Sequence, residues 1–193
     1  MSSFSAVGRV FLAAALVAGA VVFVDHGVAY ADGDRLCRGT IGPETIDGDL
    51  VVPRGAVCTL NRTTVDGNVL VRSNARVELN HARVDGNVQG SGRLVIVRNG
   101  SVIGGNVQVD YGRQVIVKSS RVDGNIQLKG NLGLSRVLSN VVDGDVQLFS
   151  NPGGFSVWTN HIDGNLQCKS NGLPRTGDHN NVQGEKEGQC RNR

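Results

Sequence analysis

Six aspartates recur at nearly one interval along the chain: Asp47, Asp66, Asp85, Asp123, Asp143 and Asp163. If they stack in one column, neighbouring carboxylates about 5 Å apart repel by roughly 1 kcal/mol in water, and a hard, oxygen-seeking cation would relieve that repulsion. Calcium is therefore the one cofactor this pattern offers, with the six aspartates as its ligands. Against it stand the absence of the calcium-binding nonapeptide of other solenoids and the ordinary tendency of an Asp beside Gly to bond its own backbone. The second chemistry to weigh is cleavage of polysaccharide, which needs acid, base or nucleophile side chains that break the repeat and converge in a cleft. Here the aspartates keep to the repeat. His81 and His161 fall in links and His179 in the tail, and Tyr111 and Trp158 are too few for an extended sugar-stacking groove. The expectation is a noncatalytic chain, with a polysaccharide-processing enzyme and a calcium-binding solenoid as the alternatives.

The elements that position these residues follow from their spacing. Taking the residue before each repeat glycine as an anchor gives Asp47, Asp66, Asp85, Gly104, Asp123, Asp143, Asp163 and a degraded copy at Gln183. The interval is 19 residues for the first four steps and 20 for the last three. Helical repeats need about 30 residues or more, so the unit is too short for two helices. Within "VDGNVQG" at 84–90, Val84, Gly86 and Val88 alternate with Asp85, Asn87 and Gln89, which is strand periodicity. The glycine marks either a corner where backbone comes close or φ turns positive, or a plain Asp-Gly turn. A second strand precedes each motif, as in "RVEL" at 76–79, "LVIV" at 94–97, "QVIV" at 114–117 and "FSVW" at 155–158. Small polar links and turn-rich stretches such as "KSS" at 118–120, "SN" at 150–151 and "SNG" at 170–172 separate them.

One such unit cannot bury its apolar face alone, whereas stacked units bury a continuous aliphatic column. The reading is an all-β fold, a right-handed parallel β-helix (β-solenoid) of about seven coils of 19–20 residues. The hand follows the usual one of parallel connections, since left-handed solenoids are built on hexapeptides. Val69, Val88, Val107, Ile126, Val146 and Leu166 form one inner column. Asn68, Asn87, Asn106, Asn125 and Asn165, with Asp49 and Asp145, form an amide ladder, and Gln89, Gln108, Gln127, Gln147 and Gln167 another. Ladders of this kind satisfy their own hydrogen bonds. If the motif is a flat strand, Asn87, Gln89, Asn106, Gln108, Asn125 and Gln127 also present a regular polar lattice, a candidate binding face for a repetitive partner such as cell-wall polysaccharide, or for self-association.

The ends carry their own signals. Arg9 followed by the 15 uncharged, apolar residues of Val10–Val24 and by "AYA" at 29–31 has the form of a secretory signal peptide over residues 1–31. A membrane span needs about 20 apolar residues. The mature chain, 32–193, is then one solenoid domain with a polar C-terminal cap, secreted or associated with the cell envelope and without a membrane span. Cys37, Cys58, Cys168 and Cys190 are even in number in an exported chain and lack zinc-site spacing, so Cys37–Cys58 and Cys168–Cys190 are the expected disulfides. A net charge of +3 with scattered basic residues argues against a nucleic-acid partner.

The "GDL", "GNV" and "GNI" triplets between aliphatics, over roughly Thr45 to Gln167, resemble the short repeats of bactofilins, bacterial polymer-forming β-solenoid proteins. That resemblance implies the solenoid fold. The signal peptide, the cysteines and the polar C-terminal stretch "GDHNNVQGEKEGQCRNR" depart from the family pattern, in which cytoplasmic chains join through apolar solenoid ends.

Overall fold

The structure, a computed structural model, describes residues 34–193; the signal peptide read at 1–31 lies outside the described residues. All regular structure in this region is β, in three parallel sheets of nine, eight and eight strands, here called A, B and C. Each turn of chain gives one short strand to each sheet. In the turn that starts at Val107, sheet A takes Val107–Asp110, sheet B takes Gln114–Lys118 and sheet C takes Arg121–Val122. Every strand inside a sheet pairs with its counterpart in the turns before and after, and the end strands with one, so the chain bonds to its own copy about 4.8 Å away. The product is a three-sided β-solenoid.

β-branched residues fill the inside because alternate side chains of each strand point inward and the pleated wall suits their stiff χ1. The expected inner column is present: Val69, Val88, Val107, Ile126, Val146 and Leu166 pair in register and are fully buried. The strands expected at 76–79, 94–97, 114–117 and 155–158 are Arg76–Asn80, Leu94–Arg98, Gln114–Lys118 and Phe155–Trp158 of sheet B. The coil count rises from about seven to about eight. The degraded copy at Gln183 closes a real turn, since Asn181–Val182 pairs with His161–Ile162 and Lys186–Gly188 pairs with Leu166–Lys169. His179 therefore stands in the eighth turn, and the stretch read as a polar tail is mostly solenoid.

The repeat motif is not a flat strand. Arg83–Val84 ends sheet C, residues 85–87 bend, and Val88–Gly90 opens sheet A. In the copies at Gly86 and Gly124 the glycine is needed for close approach, not for a positive φ, which only the first copy, Gly48, adopts. A Cβ on Gly86 would meet Asn68 Oδ1 and Gly67 O at 2.7 Å, and one on Gly124 would meet Asn106 Oδ1 and Gly105 O at 2.7 Å. The corner glycines hydrogen-bond one another up the stack, Gly86 N–H to Gly67 O at 3.0 Å and Gly105 N–H to Gly86 O at 2.9 Å. The corner from B to C is made differently, by a residue in the left-handed region: Ser119, Ser139, Thr159 and His179 have φ of 50°, 56°, 57° and 56°.

Both expected disulfides form, Cys37–Cys58 and Cys168–Cys190, with Cα atoms 5.6 and 5.3 Å apart. All four cysteines are buried. Each bond joins a terminal turn to its neighbour from inside the column, where a terminal coil has a partner on one side only and would otherwise fray.

Two outcomes test this architecture. Val107→Asp places an uncompensated carboxylate in a fully buried position between two turns, so cooperative unfolding should be lost in circular dichroism melts. Replacing Cys168 and Cys190 together by alanine should lower stability by about 3 kcal/mol on the loop-entropy scale. Amide exchange should then accelerate first in the last turn, with the middle turns unaffected.

Candidate functional site

The polar residues of the repeat serve mainly the stack itself. At the C-to-A corner, the backbone N–H and Nδ2 of Asn87 both donate to Asn68 Oδ1 at 2.9 Å. Asn106 does the same to Asn87 at 2.8 and 3.1 Å, and Asn125 to Asn106 at 2.8 and 3.1 Å. The ladder begins at Asp49, which accepts both donors of Asn68. It passes Asp145, which accepts both donors of Asn165. Of the six residues expected to form the lattice, Asn87, Asn106 and Asn125 are thus half-buried corner pieces with their amides directed along the stack. Gln89, Gln108 and Gln127 lie past the bend, in register on the outer face of sheet A. There Gln108 Nε2 donates to Asp110 at 3.0 Å, while Gln127, Gln147, Gln167 and Glu187 form a second ladder at 3.2, 2.9 and 3.1 Å.

Two further ladders escaped the sequence reading. At the B-to-C corner, Asn140, Asn160 and Asn180 are buried, each following its left-handed residue; at the A-to-B corner, Asn131, Asn151 and Asn171 are buried as well. Asn151 uses its full capacity. Its Oδ1 accepts Asn131 N–H and Nδ2 at 2.9 and 3.1 Å, and its Nδ2 donates to Leu128 O and Asn171 Oδ1, both at 2.9 Å. Asn160 is satisfied in the same way. Two donors and two acceptors are all that a primary amide side chain offers. The sequence did contain a signal, since asparagines recur at 20-residue intervals behind Gly, Ser, Thr or His outside the Asp-Gly-Asn motif.

The aspartate column runs along the outer edge of sheet C. Arg83 Nε meets Asp85 Oδ1 at 2.7 Å, and Arg121 reaches both Asp123, at 2.7 Å, and Asp143, at 2.5 Å. His161 Nε2 lies 3.2 Å from Asp163 Oδ1, and His161 Nδ1 lies 3.0 Å from Asn181 Nδ2. Asp47 and Asp66 stand exposed in the same column. These pairs are open to solvent and contribute little to stability. No group of three or more His, Cys, Asp or Glu among the described residues is arranged to hold a metal ion. Of the histidines and aromatics, His179 stacks on Trp158 with ring centroids 6.5 Å apart, and Tyr111 stands alone and exposed at the A-to-B corner.

Comparison with protein-family models, with curated proteins and with solved structures finds no match for this chain. Among the described residues no helix is long and apolar enough to cross a membrane.

The two kinds of ladder respond differently to charge. Asn87→Asp keeps the acceptor that Asn106 needs and loses one donor at a half-exposed corner where aspartate already occurs naturally. It should cost about 1 kcal/mol. Asn151→Asp buries a carboxylate and removes two donations at once, so the loss should be about 3 kcal/mol or more. Denaturant midpoints of the two variants check the order.

Proposed function

We propose that the mature chain is a noncatalytic, exported rod with a structural or binding role at the cell envelope, and that its candidate partner is a repetitive wall polysaccharide. The observation that supports this most is where the polar groups of the repeat go. The asparagines are spent on holding turns together, and most of the aspartates are paired with arginine or histidine on the same face. What faces outward is the column of Gln89, Gln108, Gln127, Gln147 and Gln167, one amide per turn, whose ladder bonds use only part of each amide's hydrogen-bonding capacity. Rows about 4.8 Å apart on a rigid wall let several weak contacts to a repeating polymer add with little ordering cost. Two disulfides inside the column fit an oxidising compartment.

The experiment is co-sedimentation of the chain from Asp32 onward with isolated envelope material. The parent should co-sediment, and a variant with Gln89, Gln108 and Gln127 replaced by serine should fold normally and be recovered at least several-fold less. No co-sedimentation of the parent removes the binding role. Shortening of the polymer during incubation would instead favour the enzyme reading.

A further inference from the structure

One stretch of the A-to-B edge breaks the repeat. In the later turns, the residue that turns the chain out of sheet A is small and left-handed: Gly130, Ser150 and Ser170 have φ of 66°, 52° and 58°. One turn earlier the same place holds Tyr111, with φ 54° and 69% of its surface exposed. A bulky side chain in this backbone region is uncommon, and packing does not require it, since the ring is mostly in solvent. The ring lies over Gly130, where an added Cβ would meet Tyr111 Cδ1 at 2.6 Å and Cε1 at 2.8 Å. The absence of a side chain at Gly130 is what gives the ring its place.

The asparagine ladder of this corner also stops here. Gly112 N–H donates to Asn131 Oδ1 at 3.0 Å, but Gly112 itself brings no side chain to continue the column. The edge is correspondingly hollowed, with a volume of about 270 Å³ lined by Ser73, Asn74, Ser91, Arg93, Tyr111, Arg113 and Leu132. Arg93 and Arg113 follow one another up the edge, and Gly133 takes their place in the next turn. Both guanidinium groups are exposed, and neither is ion-paired among the described residues. The nearby carboxylate of Asp110 accepts from Gln108 on sheet A.

We propose that this hollow binds one anionic sugar residue. A tyrosine face offers the flat, amphipathic surface on which the C–H face of a sugar packs. The forked, permanently charged guanidinium groups match a carboxylate or a phosphate in bidentate geometry. Ser73, Asn74 and Ser91 supply donors and acceptors for hydroxyls, and Leu132 forms an apolar wall. A uronic acid and a sugar phosphate share this chemistry. The proposal rests on the reading of the rod as an envelope-binding module and names one subsite of it, on a different edge from the glutamine column.

Calorimetric titration of the mature chain with trigalacturonate, with glucose 6-phosphate and with neutral cellotriose tests it and separates the two anion types. Saturable binding of at least one anionic probe is expected, with none of cellotriose. Tyr111→Ser installs the residue that turns seven and eight already use, so the fold should be kept while affinity drops about tenfold or more; Arg113→Lys keeps the charge, loses the fork and should weaken binding by a similar factor. Thermal midpoints equal to the parent's establish that the loss is local. Parental affinity in both variants, equal binding of cellotriose, or no binding of either anionic probe overturns the proposal. A chain that co-sediments with envelope yet binds neither anionic probe loses this subsite and keeps the broader reading.

Discussion

The turns of this solenoid are hydrogen-bonded to one another so that each place in a turn lies in register with the same place one turn away. Strands Val88–Gly90, Val107–Asp110, Ile126–Lys129 and Val146–Phe149 pair in parallel and in register. The corner glycines continue the pairing where no strand exists. A spacing of about 4.8 Å between turns is imposed by the backbone bonds, and every side chain must be compatible with a near-copy of itself at that distance. Aliphatics meet this condition by packing, asparagines by donating and accepting in line, and glycines by having nothing to collide. Stacked carboxylates repel at that distance, and arginine stands two residues before Asp85 and Asp123, within reach of each.

The change from a 19- to a 20-residue turn is a local event with consequences along one edge. In the turn starting at Val107, three residues link sheets A and B, from Asp110 to Gln114; in the next, five link Lys129 to Ser135. The sheet B strand shortens from five residues to four, so the net gain is one. The longer link has room to turn an asparagine inward, and the buried column of Asn131, Asn151 and Asn171 begins at that point. Below it Gly112 stands where the next asparagine would be, and the edge is hollow. The two halves of the solenoid therefore share their walls and differ at two corners, since the column of Asn140, Asn160 and Asn180 also begins only in the later turns.

The two ends of the described solenoid share one covalent device. At both, a disulfide lies inside the column and ties the last turn to its neighbour. At the C-terminal end Gly177 replaces the inward valine of earlier turns, Val182 is only partly buried, and the last strand, Lys186–Gly188, is short and charged. Short, charged edge strands resist the addition of another strand.

The period, the inner column and the cysteine pairing were legible in the sequence because a solenoid turns distance in space into distance along the chain. Val88 and Val107 are neighbours because they are 19 residues apart, and Cys37 finds Cys58 for nearly the same reason. What the sequence did not determine is everything decided at corners. Period-two alternation cannot distinguish a strand that continues from one that bends at a glycine, so "VDGNVQG" reads as flat although it crosses from sheet C to sheet A. Nor does an asparagine in a polar link declare whether it faces water or lies buried with all four hydrogen bonds made, as Asn151 does. That depends on the left-handed residue before it and on the length of the link, which only the closed turn fixes. The same holds for Tyr111, Arg93 and Arg113. Unremarkable one by one in the sequence, they share one hollow because successive turns stack there.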